Sequence, residues 1–258
     1  MADIGPSDRR RRMVLRLLAA GLIGADAVAH APRTWAQEAS DGVNRLIGSV
    51  SVNGQAADVG TPVGPGDSVT TGPDGHAVVV IGDNAFLFRN DSEVEFEPEP
   101  DNIAVRALTI VSGAVLSVFG PGDNTIRTPV ASIGIRGTAA YVNTGAAQTY
   151  VCVCYGEAEF RSAQGQVLDS VRTFHHNAPK RIHGEAAGAR IEPAPVVDHT
   201  DAELILLESL VGRVPRSPAR DTAADGCTVT ATPPRAAWTS EVSVLIKGLF
   251  RPTSGCRG

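Results

Sequence analysis

The stretch Ala77-Val78-Val79-Val80-Ile81-Gly82-Asp83-Asn84-Ala85-Phe86-Leu87-Phe88 decides the fold. Two β-branched and aromatic runs flank a Gly-Asp-Asn break, and each run is too short to be a helix on its own. The same pattern recurs outward in both directions. Leu46 to Val52, Val105 to Val111, Ala114 to Val118 and Ala139 to Val142 are further runs. Asn53-Gly54, Gly64-Pro65-Gly66-Asp67, Gly72-Pro73-Asp74-Gly75 and Gly120-Pro121-Gly122-Asp123 are further breaks, supplying the positive or preset φ that tight connections need. From Asn44 to about Ile182 no apolar period of 3.6 residues is visible. The spacing predicts an all-β fold: a β-sandwich, a jelly roll or a short β-solenoid.

The chain has 258 residues, 43% hydrophobic and 5% aromatic, with 27 Gly and four Cys, and a formal net charge of −5. These values exclude low complexity, collagen and a dense disulfide scaffold. The charge argues against a broad electrostatic grip on nucleic acid, and the few aromatics against a stacking platform for bases or sugars. Residues 1–36 read as an export signal: Arg9 to Arg12 precede a weakly apolar stretch broken by Arg16 and Asp26. The paired arginines resemble a twin-arginine signal, with cleavage expected near Ala36. Such signals carry proteins already folded, often around a cofactor. Removal takes away six basic and three acidic side chains, leaving 17 against 25, a net of −8. No second apolar run is long enough to span a membrane. The mature protein is expected in the periplasm or outside the cell, where disulfides are allowed.

Three segments resemble the FecR domain, the periplasmic β-domain of iron-citrate signalling regulators. They are Pro65-Gly66-Asp67-Ser68-Val69-Thr70-Thr71-Gly72 with Ala77 to Ile81, then Leu108-Thr109-Ile110-Val111-Ser112-Gly113-Ala114-Val115. The third and most specific is Ile126-Arg127-Thr128-Pro129-Val130-Ala131-Ser132-Ile133-Gly134-Ile135-Arg136-Gly137-Thr138. Gly82-Asp83-Asn84 departs from the Asp-Gly pair more usual there. The resemblance implies a FecR-like β-domain over about 42–145 that binds or senses outside the cytoplasm. The regulators named for this domain also carry a sigma-factor-binding segment and a membrane helix ahead of it. This chain shows an export signal instead, so a module rather than a complete regulator is expected. Gly134 and Gly137 suggest a bulge beside Arg136. Arg136 then either meets a ligand carboxylate or pairs internally with an acid such as Asp67 or Asp83.

A Cys/His-containing β extension is expected over 146–190. Cys152 and Cys154 stand two apart on a strand, so their sulfurs share a face. Their Cα atoms would lie about 6.6 Å apart, the far limit for a disulfide without a bulge, whereas two thiolates meet on one metal ion at about 3.8 Å. His175 and His176 return on the strand after Ala163-Gln164-Gly165, and Asn177 and Pro179 mark where the chain leaves it. Cys152, Cys154, His175 and His176 make a Cys₂His₂ set suited to zinc, iron or another thiophilic ion, or to a [2Fe–2S] cluster, with His183 in reserve. The alternatives are buried unbonded cysteines beside a surface His pair, or a Cys–His nucleophile.

Residues 198–212 form the one clear helix, with Asp198 or Thr200 as cap; His199 beside it either takes a capping role, the preferred reading, or reaches the metal cluster. Residues 213–258 read as a flexible tail, in which Cys227 and Cys256 either pair or stay free. No G-x-S-x-G, phosphate loop, H-E-x-x-H or G-x-G-x-x-G occurs, and catalysis is not indicated. Two functions remain: a FecR-like binding, sensing or scaffold module holding a metal, or a metal-free envelope protein that docks a receptor or glycan. Thiol redox chemistry is a weaker third. The expected partners are an envelope protein or a small ligand.

Overall fold

Strand pairing explains why so many short runs make one fold. The computed structural model of the chain describes residues 39–97 and 105–213. Residues 1–36, expected to be an export signal, and the expected tail beyond 213 with Cys227 and Cys256 lie outside the described residues. In chain order the strands are β1 Gly42–Ile47, β2 Val50–Val52, β3 Gln55–Ala56, β4 Ser68–Thr71, β5 His76–Ile81, β6 Asn84–Phe88 and β7 Glu93–Phe96. They continue with β8 Ala107–Val118, β9 Asp123–Arg127, β10 Ala131–Thr144, β11 Gln148–Ser162, β12 Val167–Thr173, β13 Lys180–His183 and β14 Arg190–Pro193. The helix α1 spans Asp201–Leu210. The decisive stretch is the β5–β6 hairpin, with Gly82 at φ 55° in its turn.

Three long strands, β8, β10 and β11, each change neighbours partway along. Residues 107–112 of β8 pair with β7 and β9, and residues 113–118 with β6 and β10. β10 meets β9 over 132–136 and β8 over 139–144. β11 meets β13 over 148–151 and β12 over 156–161. A glycine of positive φ stands at each change: Gly113 at 84°, Gly137 at 53° and Gly156 at 99°. Glycine takes such a φ at little cost, and bulges there turn strand corners. All 14 strands of the described residues belong to one continuously hydrogen-bonded sheet, and the three bent strands fold it into two layers that share them, a corner-turning β-sandwich. Among the described residues only β8 and β9 run parallel, so the sandwich replaces the β-solenoid among the expected architectures. Residues 146–190 continue the same sheet through β11 to β13.

Side chains sort by strand parity. Val79, Phe86, Phe88, Val115, Val142, Val151 and Val153 from one layer meet Val69, Val94, Ile110, Ile126, Ile133 and Phe160 from the other in the main core. The opposite parity of the first layer, with Val78, Leu87, Leu116, Tyr141, Cys152 and Cys154, faces outward and is covered by Leu204, Leu207 and Leu210 of α1. Strands buried on both faces need no polar alternation. That is why Ala77 to Ile81 and Val151 to Cys154 are unbroken apolar runs. No helix among the described residues is long and apolar enough to cross a membrane.

Candidate metal centre

The two cysteines sit where β11 lacks a strand partner on one edge. Its pairing with β13 ends at Val151 and that with β12 begins at Gly156. The turn 174–179 fills the gap, its His176 N–H donating to the Cys154 carbonyl at 3.0 Å. On the other edge Cys154 and Tyr155 together oppose Ala139, a bulge that interrupts the β10 register. Thr173 and Asn177 fold the turn: the Thr173 hydroxyl donates to Asn177 Oδ1 at 3.0 Å, and the same oxygen accepts the His175 N–H at 3.0 Å. His176 has φ 44°, a left-handed conformation that histidine tolerates better than most residues. Its Nδ1 lies 3.3 Å from Cys152 Sγ.

The fourth member is His199, just ahead of α1, with Nε2 3.0 Å from His176 Nδ1. Its Nδ1 donates to the Val197 carbonyl at 2.7 Å, which leaves the Nε2 lone pair facing the cluster. Its ring stacks on Tyr141, centroids 4.7 Å apart and planes 14° apart. The segment leading to α1 is itself anchored. Tyr150 Oη donates to the Pro195 carbonyl at 2.8 Å, and Arg89 donates to the Asp198 carbonyl at 2.7 Å while pairing with buried Glu203 at 2.8 Å. One ligand atom from each of Cys152, Cys154, His176 and His199 lies within 4.8 Å of every other.

Of the histidine pair, only His176 joins the cysteines. His175 turns to Asp201, its Nε2 2.9 Å from Oδ2, while His176 Nε2 lies 3.0 Å from Oδ1 of the same carboxylate. His183 is bonded to Glu192 at 3.0 Å, outside the cluster. Arg136 pairs with Asp123 at 3.1 Å rather than with Asp67 or Asp83, on the wall of an open groove of about 430 Å³. In the sequence Asp201 was legible only as an acid suited to the first turn, and His199 as a residue within reach of the cluster but better suited to capping. Thr-x-x-Glu at 200–203 is the signal that separates them. It is a capping box, with Thr200 accepting from the Glu203 N–H and Glu203 accepting from the Thr200 N–H. With Thr200 as cap, His199 is released for another role.

The electrostatics suit charged ligands. The Cys154 thiol, and after it His176, hydrogen-bond to the Cys152 sulfur against its burial and bring its pKa down to about 3. Burial, followed by the neighbouring Cys152 sulfur, pushes the Cys154 thiol well up. Burial opposes charge on His176, but its bonds to Asp201 and Cys152 outweigh that and raise it to about 9. The His176 bond, with His175 adding to it against burial, holds Asp201 at about 2. Cys152, His176 and Asp201 form a line that nucleophilic sites also use. Cys152 is fully buried, however, so its sulfur is closed to substrate in this conformation.

Part of the chain is similar to known proteins. The family model described as FecR protein matches residues 67–159. Two crystal structures of a candidate anti-sigma factor from Parabacteroides distasonis ATCC 8503, at 1.65 and 2.50 Å resolution, align with a TM-score of 0.42 and 12% identity. Each alignment covers 55% of this chain, which spans 64% of the length of those chains. No curated protein matches the sequence.

Proposed function

Taking residues 67–159 as a FecR domain, we propose that the chain is an extracytoplasmic sensing or regulatory module built around a buried Cys₂His₂ metal centre. The observation that carries this reading is the convergence of Cys152, Cys154, His176 and His199 within 4.8 Å. Both histidines have the second partner that metal-bound imidazoles use: Asp201 for His176 and the Val197 carbonyl for His199. Four protein ligands make a closed site, which suits a structural ion. The mutual closeness favours one thiophilic ion over a two-iron cluster, whose bridging sulfides would spread the ligands apart. Bound there, the ion would tie β11, the 174–179 turn and the lead into α1 to one point. Export by the N-terminal signal would place the module in the periplasm, with an envelope protein or a small ligand as its partner.

Metal analysis of the purified protein tests this. One zinc or iron per chain is expected, lost in the Cys152→Ser, Cys154→Ser double variant. Saturating metal should raise the melting temperature by on the order of 10 °C over the chelated form. Folded protein that carries no metal and melts at the same temperature with zinc or chelator present would refute the centre.

A further inference from the structure

His176 presents a nitrogen on each side of its ring. Nδ1 faces Cys152 and His199, whereas Nε2 faces away from them, 3.0 Å from Asp201 Oδ1. His175 Nε2 lies 2.9 Å from the other oxygen of that carboxylate, and the His175 and His176 rings meet edge to face with centroids 4.6 Å apart. One atom each from His175, His176 and Asp201 thus falls within 4.8 Å of the others, a second group of ligand types that shares only His176 with the first. The two groups differ in character. The first has two sulfurs and is sealed beneath α1. The second has two nitrogens and an oxygen and opens to water, the His175 side chain being 47% exposed and Asp201 22%.

We propose that His175, His176 and Asp201 form a second, exchangeable site for a divalent transition-metal ion such as zinc. It rests on the Cys₂His₂ reading in that His176 bridges the two ions through opposite ring nitrogens. Three protein ligands of nitrogen and oxygen with a fourth position toward solvent are the arrangement of open metal sites, as four closed ligands are of structural ones. Two Zn–N bonds of about 2.0–2.1 Å on either side of one imidazole place the ions about 6 Å apart, so both fit without sharing a further ligand. On binding, the Nε2 proton that His176 shares with Asp201 passes to solvent, and the carboxylate changes from hydrogen-bond acceptor to ligand. Asp201 is the first residue of α1 and His175 is in the turn beside β11. The second ion therefore reports external metal at the seam between helix and sheet. The chemistry that recognises it is a nitrogen and oxygen donor set suited to borderline ions, without thiolate.

Titration of chelator-stripped full-length protein with zinc, read by calorimetry, tests this on wild type, His175→Ala and the Cys152→Ser, Cys154→Ser double variant. His175 is exposed, so its substitution is expected to leave the fold and melting curve of the stripped protein unchanged. Two equivalents are expected in wild type, the second weaker by roughly tenfold or more, and His175→Ala should lose the weaker one alone. Cobalt supplies an independent readout: the first equivalent should show sulfur-to-metal charge transfer, and the second only ligand-field bands. One equivalent in wild type, kept by His175→Ala and lost in the cysteine variant, overturns the second site and leaves the first standing. A single equivalent lost by His175→Ala and kept without the cysteines supports the site at this triad and refutes the Cys₂His₂ centre. No binding in any form overturns both.

Discussion

At the scale of single residues, glycines fix the backbone and side-chain parity fixes the site. Gly113 has φ 84°, and a Cβ there would lie 2.4 Å from Ser92 Cα. Gly113→Ala is therefore expected to lower stability by about 1–3 kcal/mol, from strain and from displacing the loop that leads into β7. Gly137, at φ 53° with open space around its missing Cβ, should cost only the backbone term of about 1–2 kcal/mol when changed to Ala. Urea unfolding of the two variants side by side checks the order. The cysteines could be read from sequence because strand parity alone sets their common face. His199 could be read as within reach of the cluster but not as its fourth member, because it acts across the fold from a segment whose course depends on Tyr150 and Arg89. Arg136 was readable as a residue needing an acid, but Asp123 as that acid depends on the pairing of β9 with β10.

At the scale of elements, the β12–β13 region and the start of α1 hold the cluster in place. Asp169 on β12 and Lys180 on β13 pair at 2.7 Å across the base of the histidine turn. The bond from Lys180 holds the Asp169 carboxyl below its ordinary value, despite some burial. A lowered acid stabilises the fold above its unfolded pKa of about 3.9 and stops doing so as pH falls through the lower folded value. Asp169→Asn should therefore be destabilising at neutral pH, and the difference from wild type should close below about pH 4, as melting curves across pH will show. The cap offers a second check. Thr200→Ala removes the hydroxyl of the capping box and should cost about 1 kcal/mol in thermal unfolding. It should also weaken metal uptake, since His199 and Asp201 flank the cap. The hairpin across Ala163-Gln164-Gly165 was readable, with Gly165 at φ 88° as its turn signal demanded. The gap in the edge of β11 was not, because pairing partners are a property of topology and not of the run itself.

At the scale of the whole molecule, one layer of the sandwich is buried on both faces, and α1 covers the outer one. Leu207 is fully buried at the centre of that cover. Leu207→Ala should cost about 2–5 kcal/mol, measured by denaturant unfolding, and Val59→Ala, at an exposed position, close to nothing. The all-β class was legible from the rhythm of runs and breaks. The sharing of three strands between two layers was not, since Gly113, Gly137 and Gly156 as corners look in sequence like any turn glycine. The order of the candidate ligands along the chain has a kinetic meaning. Cys152 and Cys154 lie on a strand central to the pairing scheme, while His176 follows β12 and His199 comes only after β13 and β14 along the chain. Closure of that long loop comes after the local hairpins, as its entropy requires. The ligand set is then complete only at the last step of assembly, and zinc should slow unfolding far more than it speeds refolding.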